Sequence, residues 1–222
     1  DIFKPVRYFL HQNMVLEKFK VTSKFSKVHL LDHTMRSGKS ITLLSLAMYA
    51  TAHLGVKRVL IVTPVIDTIK AFDIECKTYI DFNTAGKCHI IRDKKEIPGP
   101  EWSGIAISSL QYFKVGGHKC TKSFDMIISD EAHLGSATQK SKSNVFNVDR
   151  KSTKYIIFAS GTPSYTARQF NIPKSCQYTW TDMDNHMMKN LEVNKKHMKA
   201  IHGEYFEKAL ENPTLNCDYS NK

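Results

Sequence analysis

The feature that most constrains the fold of this chain is a series of short apolar runs, each ending at small, polar or charged residues. Clear examples are residues 58–63, 104–109 and 155–160. Runs that are apolar throughout, rather than at alternate positions, are typical of strands buried on both faces. Segments with helical periodicity separate these runs. The pattern therefore predicts an α/β fold with a mainly parallel central sheet flanked by helices.

The predicted elements follow one another in a regular order along the chain. Strands are expected at residues 28–31, 58–63, 88–92, 104–109, 124–129 and 155–160. Helices are expected at residues 40–53 and 67–80, with a charged loop at 93–100 and a low-complexity polar loop at 136–144. Because the polar residues follow the strands, we expect ligands to bind at the carboxyl edge of the sheet.

The character of the sequence changes after Pro163. Glycine becomes rare, and residues 182–210 are polar with a patchy apolar stripe at helical spacing. This pattern predicts a first domain at residues 1–165 and a helical extension at 166–222. The extension is either an appended segment or the start of a connection to a further domain. Its stripe favours internal packing over a partner surface.

The charge balance points to a polyanionic partner without proving one. The chain has 32 Lys and Arg residues against 21 Asp and Glu residues, a net charge of +11. Such an excess suits nucleic acid, through phosphate contacts and counterion release. A solvated basic surface without a partner explains the charge equally well.

The cysteines and the apolar segments indicate the cellular compartment in which we expect this protein. Five scattered cysteines with no CxxC pair argue against a zinc site and fit a reduced intracellular protein. The longest apolar stretch, residues 41–56, is too short and interrupted to span a membrane, and no signal peptide is visible. We therefore expect an intracellular protein, in the cytoplasm, nucleoid or host cell, that is neither secreted nor membrane-bound. Because Asp1 is not Met, we expect the sequence to be an excised or processed piece.

A candidate phosphate-binding loop lies between the first predicted strand and the helix that follows. Residues 34–40 read Thr-Met-Arg-Ser-Gly-Lys-Ser. Phosphate binding needs inward-facing backbone N–H groups, a helix N-terminus and a lysine. Gly38 would allow the tight turn, Lys39 would reach the β- and γ-phosphates, and Ser40 would bind Mg²⁺. His33 stands where the strict pattern has glycine, so by itself this segment leaves open a chance Gly-Lys-Ser turn.

A second candidate site follows the apolar run at 124–129. Asp130 would bind magnesium, and Glu131 would polarise an attacking water molecule. A lone acidic pair is more often a solvated strand end, but beside a phosphate loop it favours nucleotide hydrolysis. Taken alone, His133 is explained as a core or loop histidine and residues 161–163 as a turn.

Five short motifs together resemble a known family. Residues 130–133 resemble the DEAH form of helicase motif II, and residues 160–163 resemble motif III. The TS-x-Q element, the start of motif Ia and the upstream H-Q element are matched by residues 107–111, 62–64 and 10–12. Over about residues 5–165 the chain is similar to the first RecA-like domain of superfamily 2 helicases and translocases. The closest resemblance is to restriction-enzyme motor subunits and phage or viral helicases.

The resemblance implies ATP and Mg²⁺ as cofactors and a role for each matched residue. Gln12 would contact adenine, and the triphosphate would be bound by Thr34, Met35, Arg36, Ser37, Gly38, Lys39 and Ser40. The implied catalytic residues are Lys39, Asp130, Glu131 and His133, with Ser40 and Asp130 as metal ligands. Ser160, Gly161 and Thr162 would couple nucleotide state to nucleic-acid grip, which His133 would assist. Pro64, Ser108 and Ser109 would touch the nucleic-acid backbone. Arg36 occupies a position that is often glycine in the family.

The implied function is that of an ATP-dependent helicase or translocase, on DNA in preference to RNA. The family also needs a second RecA-like domain that supplies arginines to the γ-phosphate. Only about sixty residues follow Pro163, too few for that domain, so we expect this piece to be weakly active. The alternatives are the motor of a type I or type III restriction enzyme and a catalytically silent nucleotide- or nucleic-acid-binding module. A packaging ATPase is a third, weaker choice.

Overall fold

Parallel strands form the central layer of the molecule. The computed structural model describes residues 5–79, 82, 88–114, 121–130, 146 and 151–222. Within these residues, seven strands form one sheet in the order β3-β4-β2-β5-β6-β1-β7, and all neighbouring strands are parallel. The strands are β1 Val28–His33, β2 Arg58–Thr63, β3 Cys88–Ile91, β4 Gly104–Ser109, β5 Met126–Ser129, β6 Tyr155–Ala159 and β7 Gln177–Trp180. The predicted α/β fold is confirmed.

The inner strands explain the continuous apolar runs of the sequence. Every residue of β2, β4 and β5 is buried. β2 pairs with β4 on one side and with β5 on the other, so both of its edges and both of its faces are covered. A strand in that position cannot alternate apolar and polar side chains, because neither face reaches water.

Helices cover both faces of the sheet. They are α1 Leu10–Thr22, α2 Lys39–His53, α3 Ile66–Thr78, α4 Leu110–Lys114, α5 Pro163–Gln169, α6 Asp182–Lys189, α7 Leu191–His202 and α8 Glu204–Leu210. Phe19 of α1, Leu43 of α2 and Phe72 of α3 belong to the core on one face. Leu110 of α4 and Ala167 of α5 belong to the core on the other face.

The region after residue 165 contributes a strand to the same sheet. β7 lies beside β1, with Leu30 opposite Gln177 and His33 opposite Trp180. The sequence pattern did not predict this strand, because the polar helical segments that follow dominate the composition there. Its local signal is a Tyr-Thr-Trp run of strand-favouring residues. Trp180 is 1% exposed, whereas Thr179 is an exposed residue.

The last three helices build a third apolar cluster against α1. Met14 of α1 packs in it with Trp180, Met187, Met198 and Phe206. The apolar stripe predicted for residues 182–210 is therefore used for packing at some of its positions. Other members of the stripe, such as His197 and Ile201, are exposed.

A disulfide joins the last turn of α3 to the start of β3. Of the cysteines that the structure describes, Cys76 and Cys88 are bonded, with Cα atoms 6.6 Å apart, whereas Cys176 and Cys217 are free thiols. The bonded pair departs from the interpretation of the scattered cysteines as those of a reduced protein. The fold brings these two side chains together in a way that their spacing in sequence does not reveal. No helix in the described part combines the length and the apolar character that a membrane span requires.

Candidate nucleotide-binding site

The loop between β1 and α2 has the backbone shape that phosphate binding needs. Gly38 has φ 81° and Arg36 has φ 61°, and α2 begins at Lys39 directly after the Gly38 cap. A Cβ atom on Gly38 would lie 2.7 Å from Gln12 Nε2, which is closer than side-chain carbons approach. Glycine is therefore favoured at position 38, because φ 81° is strained for other residues and their Cβ would displace Gln12. Arg36 adopts a left-handed conformation at the position where the resembled family often has glycine.

Two side chains of α1 hold this loop from one side. His11 Nε2 lies 2.7 Å from the Ser37 carbonyl oxygen, and Gln12 Nε2 donates to the Gly38 carbonyl at 3.1 Å. Gln12 Oε1 accepts from the Phe9 N–H at 2.9 Å, and Gln12 is 2% exposed. In this structure the glutamine amide is used to join the start of α1 to the loop. Its contact with adenine stays a prediction.

The end of β7 holds the loop from the other side. The Thr34 N–H donates to the Trp180 carbonyl at 3.0 Å. The Thr34 hydroxyl donates to the Asp182 carboxylate at 2.5 Å. The loop is therefore held between α1 and β7, two elements that are remote from each other in sequence.

A cleft of about 630 Å³ opens beside the loop. It is lined by Asp32, His33, Thr34, Met35, Lys39, Ser160, Gly161, Trp180, Thr181 and Asp182. The cleft gathers the ends of β1, β6 and β7, at the carboxyl edge where parallel sheets place ligands. Its volume suits a small-molecule ligand. The structure thus places Lys39 of the phosphate loop on the same cleft as Ser160 and Gly161.

Asp32 is a cleft residue that the sequence analysis missed. Burial raises the pKa of its carboxyl group, and a hydrogen bond from Thr179 and the positive charge of Lys39 oppose that rise. The ammonium of Lys39 therefore lies within electrostatic reach of this carboxylate. The available signal was an aspartate inside an otherwise apolar strand, directly before the loop. Asp182 and Trp180 were missed because β7 was not predicted.

His33 stands in the strict motif's first glycine position and lines the cleft from inside. It is 5% exposed, and among the described residues its Nδ1 atom has no hydrogen-bond partner. Burial, and then the charges of His11 and Lys39, hold the pKa of His33 well below its ordinary value. The ring is therefore neutral near pH 7, so it adds no positive charge to the site.

The predicted metal ligands supply the oxygen atoms that Mg²⁺ prefers. Ser40 lies in the first turn of α2 and donates a hydrogen bond to Glu75 of α3. Burial raises the pKa of Glu75, and the Ser40 bond opposes that rise. Asp130 follows β5, where its N–H donates to the Val62 carbonyl at 2.9 Å. It lines a small gap beside Pro64 rather than the large cleft. Glu131 and His133 lie outside the described residues.

The predicted coupling residues form the turn between β6 and α5. Ser160 is 2% exposed, and its hydroxyl oxygen lies 2.9 Å from that of Thr166. It also accepts from the Thr162 N–H at 3.1 Å. Gly161 and Thr162 are exposed. Ser160 therefore lies at the end of the turn that faces the cleft, and Thr162 lies at the end that is exposed to solvent.

The predicted nucleic-acid residues differ in exposure. Ser108 is fully buried and its hydroxyl donates to the Ile91 carbonyl at 2.7 Å. Ser109 is 4% exposed and its hydroxyl accepts from the Tyr112 N–H at 3.4 Å. Pro64 is the partly exposed member of the three. In this structure the two serines use their hydroxyls inside the protein, and their contact with nucleic acid stays a prediction.

Solved structures of helicases and related ATPases share this fold. The UvsW helicase from bacteriophage T4 aligns with TM-score 0.55 at 18% identity, over 73% of this chain and 56% of that chain. The Sulfolobus solfataricus SWI2/SNF2 ATPase core, solved with dsDNA, aligns with TM-score 0.55 at 16% identity, over 92% and 44%. A hypothetical ATP-dependent RNA helicase from Sulfolobus tokodaii gives 0.54 at 14% identity, over 85% and 55%. The chain thus spans about half of each of these proteins.

Sequence comparison supplies the family. No curated protein sequence matches the chain. The sequence profile of one protein family matches residues 6–165, which include the phosphate loop, the acidic motif and the turn after β6. The matched region contains the first six strands of the sheet. The chain therefore belongs to the family described as type III restriction enzyme, res subunit.

Proposed function

We propose that this chain is the ATP-binding half of a nucleic-acid-dependent motor that works as a helicase or translocase. The observation that carries the proposal is the phosphate loop, which α1 and β7 hold beside a cleft that contains Lys39. In that position the α2 N-terminus and the Lys39 ammonium would bind the β- and γ-phosphates.

The bound magnesium ion would be held by Ser40 and Asp130 together with phosphate oxygens and water. The ion would neutralise the charge of the phosphates. Glu131 would orient and polarise the attacking water, with His133 and the turn at residues 160–162 reporting the nucleotide state. The chain's own contribution would be to position the triphosphate in the cleft.

We propose that the isolated chain hydrolyses ATP slowly because a second RecA-like domain is needed. The chain spans 56% of the UvsW structure and 44% of the SWI2/SNF2 ATPase core. An arginine supplied across the domain interface is worth about 10³–10⁵ in rate in phosphoryl transfer. The partner domain would therefore dominate the kinetics.

The proposed track is DNA. The net charge of +11 favours a polyanion, and one aligned ATPase core was solved in complex with dsDNA. Another aligned structure is described as an RNA helicase, so RNA is the competing track. Pro64 at the end of β2 is the predicted contact that the structure leaves partly exposed.

ATP turnover by the full-length protein tests this function. It is measured without nucleic acid and with single- and double-stranded DNA and RNA, for the wild type and for Lys39→Ala. We expect stimulation by DNA that the Lys39→Ala variant abolishes together with MgATP binding. Unchanged MgATP affinity in that variant would move the nucleotide site away from the loop. Stimulation by RNA alone would mean that the motor acts on RNA and not on DNA.

The family description favours one specific motor as the second candidate. The motor of a restriction enzyme would share each of these motifs, and its full assembly would cut DNA. Incubation of the full-length protein with plasmid DNA and ATP tests this candidate, because cleavage of the plasmid would support it. A silent module would instead bind MgATP without turnover that any nucleic acid stimulates.

A further inference from the structure

A buried chain of hydrogen bonds connects the C-terminal region to the phosphate loop. The Tyr219 hydroxyl lies 2.7 Å from His11 Nδ1, and His11 Nε2 lies 2.7 Å from the Ser37 carbonyl oxygen. Tyr219 and His11 are each 1% exposed. The segment that carries Tyr219 is fixed in turn, because the Asn216 N–H donates to the Tyr8 carbonyl at 2.8 Å.

The chemistry of the three groups sets the direction of each bond. A carbonyl oxygen only accepts, so His11 Nε2 must carry the hydrogen that bonds to Ser37. Burial lowers the pKa of His11 to about 4, so at pH 7 the ring is neutral and Nδ1 is an acceptor. The Tyr219 hydroxyl therefore donates to Nδ1. Its oxygen also accepts from the His11 backbone N–H at 3.3 Å.

Neighbouring rings fix the plane of the His11 imidazole. It stacks on Trp180 with the ring centroids 5.0 Å apart and the planes at 23°. His33 meets it edge-on at 5.3 Å. Since Trp180 also accepts the Thr34 N–H through its carbonyl, the same β7 residue supports both His11 and the start of the loop.

We propose that Tyr219 and His11 are positioning residues for phosphate binding. The Tyr219 hydroxyl selects the His11 tautomer that turns the Ser37 carbonyl toward α1. The Gly38 N–H then points in the opposite direction, away from α1, because the C=O and N–H bonds of a trans peptide are antiparallel within one plane. In that direction the N–H would be able to donate to a bound phosphate. This role rests on the proposed function.

A second Tyr–His pair in the protein has the same chemistry away from the loop. The Tyr178 hydroxyl lies 2.9 Å from His29 Nδ1, and His29 Nε2 lies 3.0 Å from the Ser26 carbonyl. Tyr178 is 1% exposed and His29 is fully buried. Tyr178→Phe therefore removes an equivalent buried hydroxyl–histidine bond without touching the phosphate loop, and serves as the matched control.

The experiment compares Tyr219→Phe with Tyr178→Phe in the 222-residue chain. Affinities for MgATP, MgADP and AMP are measured by calorimetry, beside thermal unfolding. We expect both variants to lose thermal stability to a similar degree. Only Tyr219→Phe should weaken MgATP and MgADP binding, by about tenfold, which corresponds to one lost hydrogen bond of ordinary strength. AMP affinity should change less than twofold, because the loop holds the outer phosphates.

Nitrogen-15 spectra of the histidine rings give a reading that does not depend on the variants. In the wild type we expect His11 and His29 to carry hydrogen on Nε2, and saturating MgADP to shift the His11 signals but not those of His29. A hydrogen on Nδ1 of His11 would overturn the proposed chain of hydrogen bonds from Tyr219 to Ser37. Equal nucleotide affinities of the two variants would also overturn it. If the wild type binds no MgATP, the proposed function fails and this role fails with it.

Discussion

Acidification from pH 7 to pH 5 should destabilise this protein through two buried histidines. Burial lowers the pKa of His11 and of His29 to about 4, against an ordinary value of 6.5. At a pH between these two pKa values, His11 and His29 bind protons in the unfolded chain but stay neutral in the folded chain. Stability is therefore fully present above about pH 6.5 and is lost as the pH falls toward about 4. Each histidine contributes a loss of about 2 kcal/mol at pH 5.

The two histidines together predict a loss of about 4 kcal/mol, a large part of the 5–15 kcal/mol that holds a typical domain. His33, whose pKa burial also lowers, acts in the same direction. Urea unfolding followed by tryptophan fluorescence at pH 7, 6 and 5 measures the effect. His29→Gln should reduce the loss between pH 7 and pH 5 by about 2 kcal/mol, the share of that histidine, and leave the shares of His11 and His33.

Two results would refute the prediction that these histidines destabilise the protein in acid. A free energy of unfolding that is equal at pH 7 and pH 5 would show that these rings are not held neutral by burial. A proton titration of His11 near pH 6.5, seen in its ring signals while the protein stays folded, would refute the assignment directly. It would also remove the reason for treating His11 Nδ1 as an acceptor.

Three further perturbations test the site. Gly38→Ala should weaken MgATP binding at least tenfold, because the new Cβ would displace Gln12 and φ 81° is strained for alanine. Calorimetry measures this affinity, and an affinity equal to that of the wild type would contradict the prediction. Glu131→Gln should keep MgATP binding and lose turnover of the full-length protein by about 10²-fold or more, so normal hydrolysis would remove its proposed role. Affinity for DNA should fall steeply between about 50 and 200 mM salt, and salt-independent binding would contradict the electrostatic use of the net charge.

Local sequence determined six of the seven described strands of the sheet and the phosphate loop. The uninterrupted apolar run at residues 58–63 predicted a doubly covered strand, and β2 is buried at every position. The Ser-Gly-Lys-Ser segment predicted a turn into a helix, and α2 begins at Lys39 after a left-handed Gly38. These features are readable because burial on two faces and a positive φ each restrict the residue types at a few consecutive positions.

Only the tertiary structure decided what surrounds the loop. β7 lies beside β1, although more than a hundred residues separate the two strands along the chain. Tyr219 and His11 are 208 positions apart and share a hydrogen bond. The disulfide between Cys76 and Cys88 likewise depends on how α3 meets β3. Local periodicity reports which face of an element is buried, whereas such pairings depend on which elements pack together, and that is set by the fold of the whole chain.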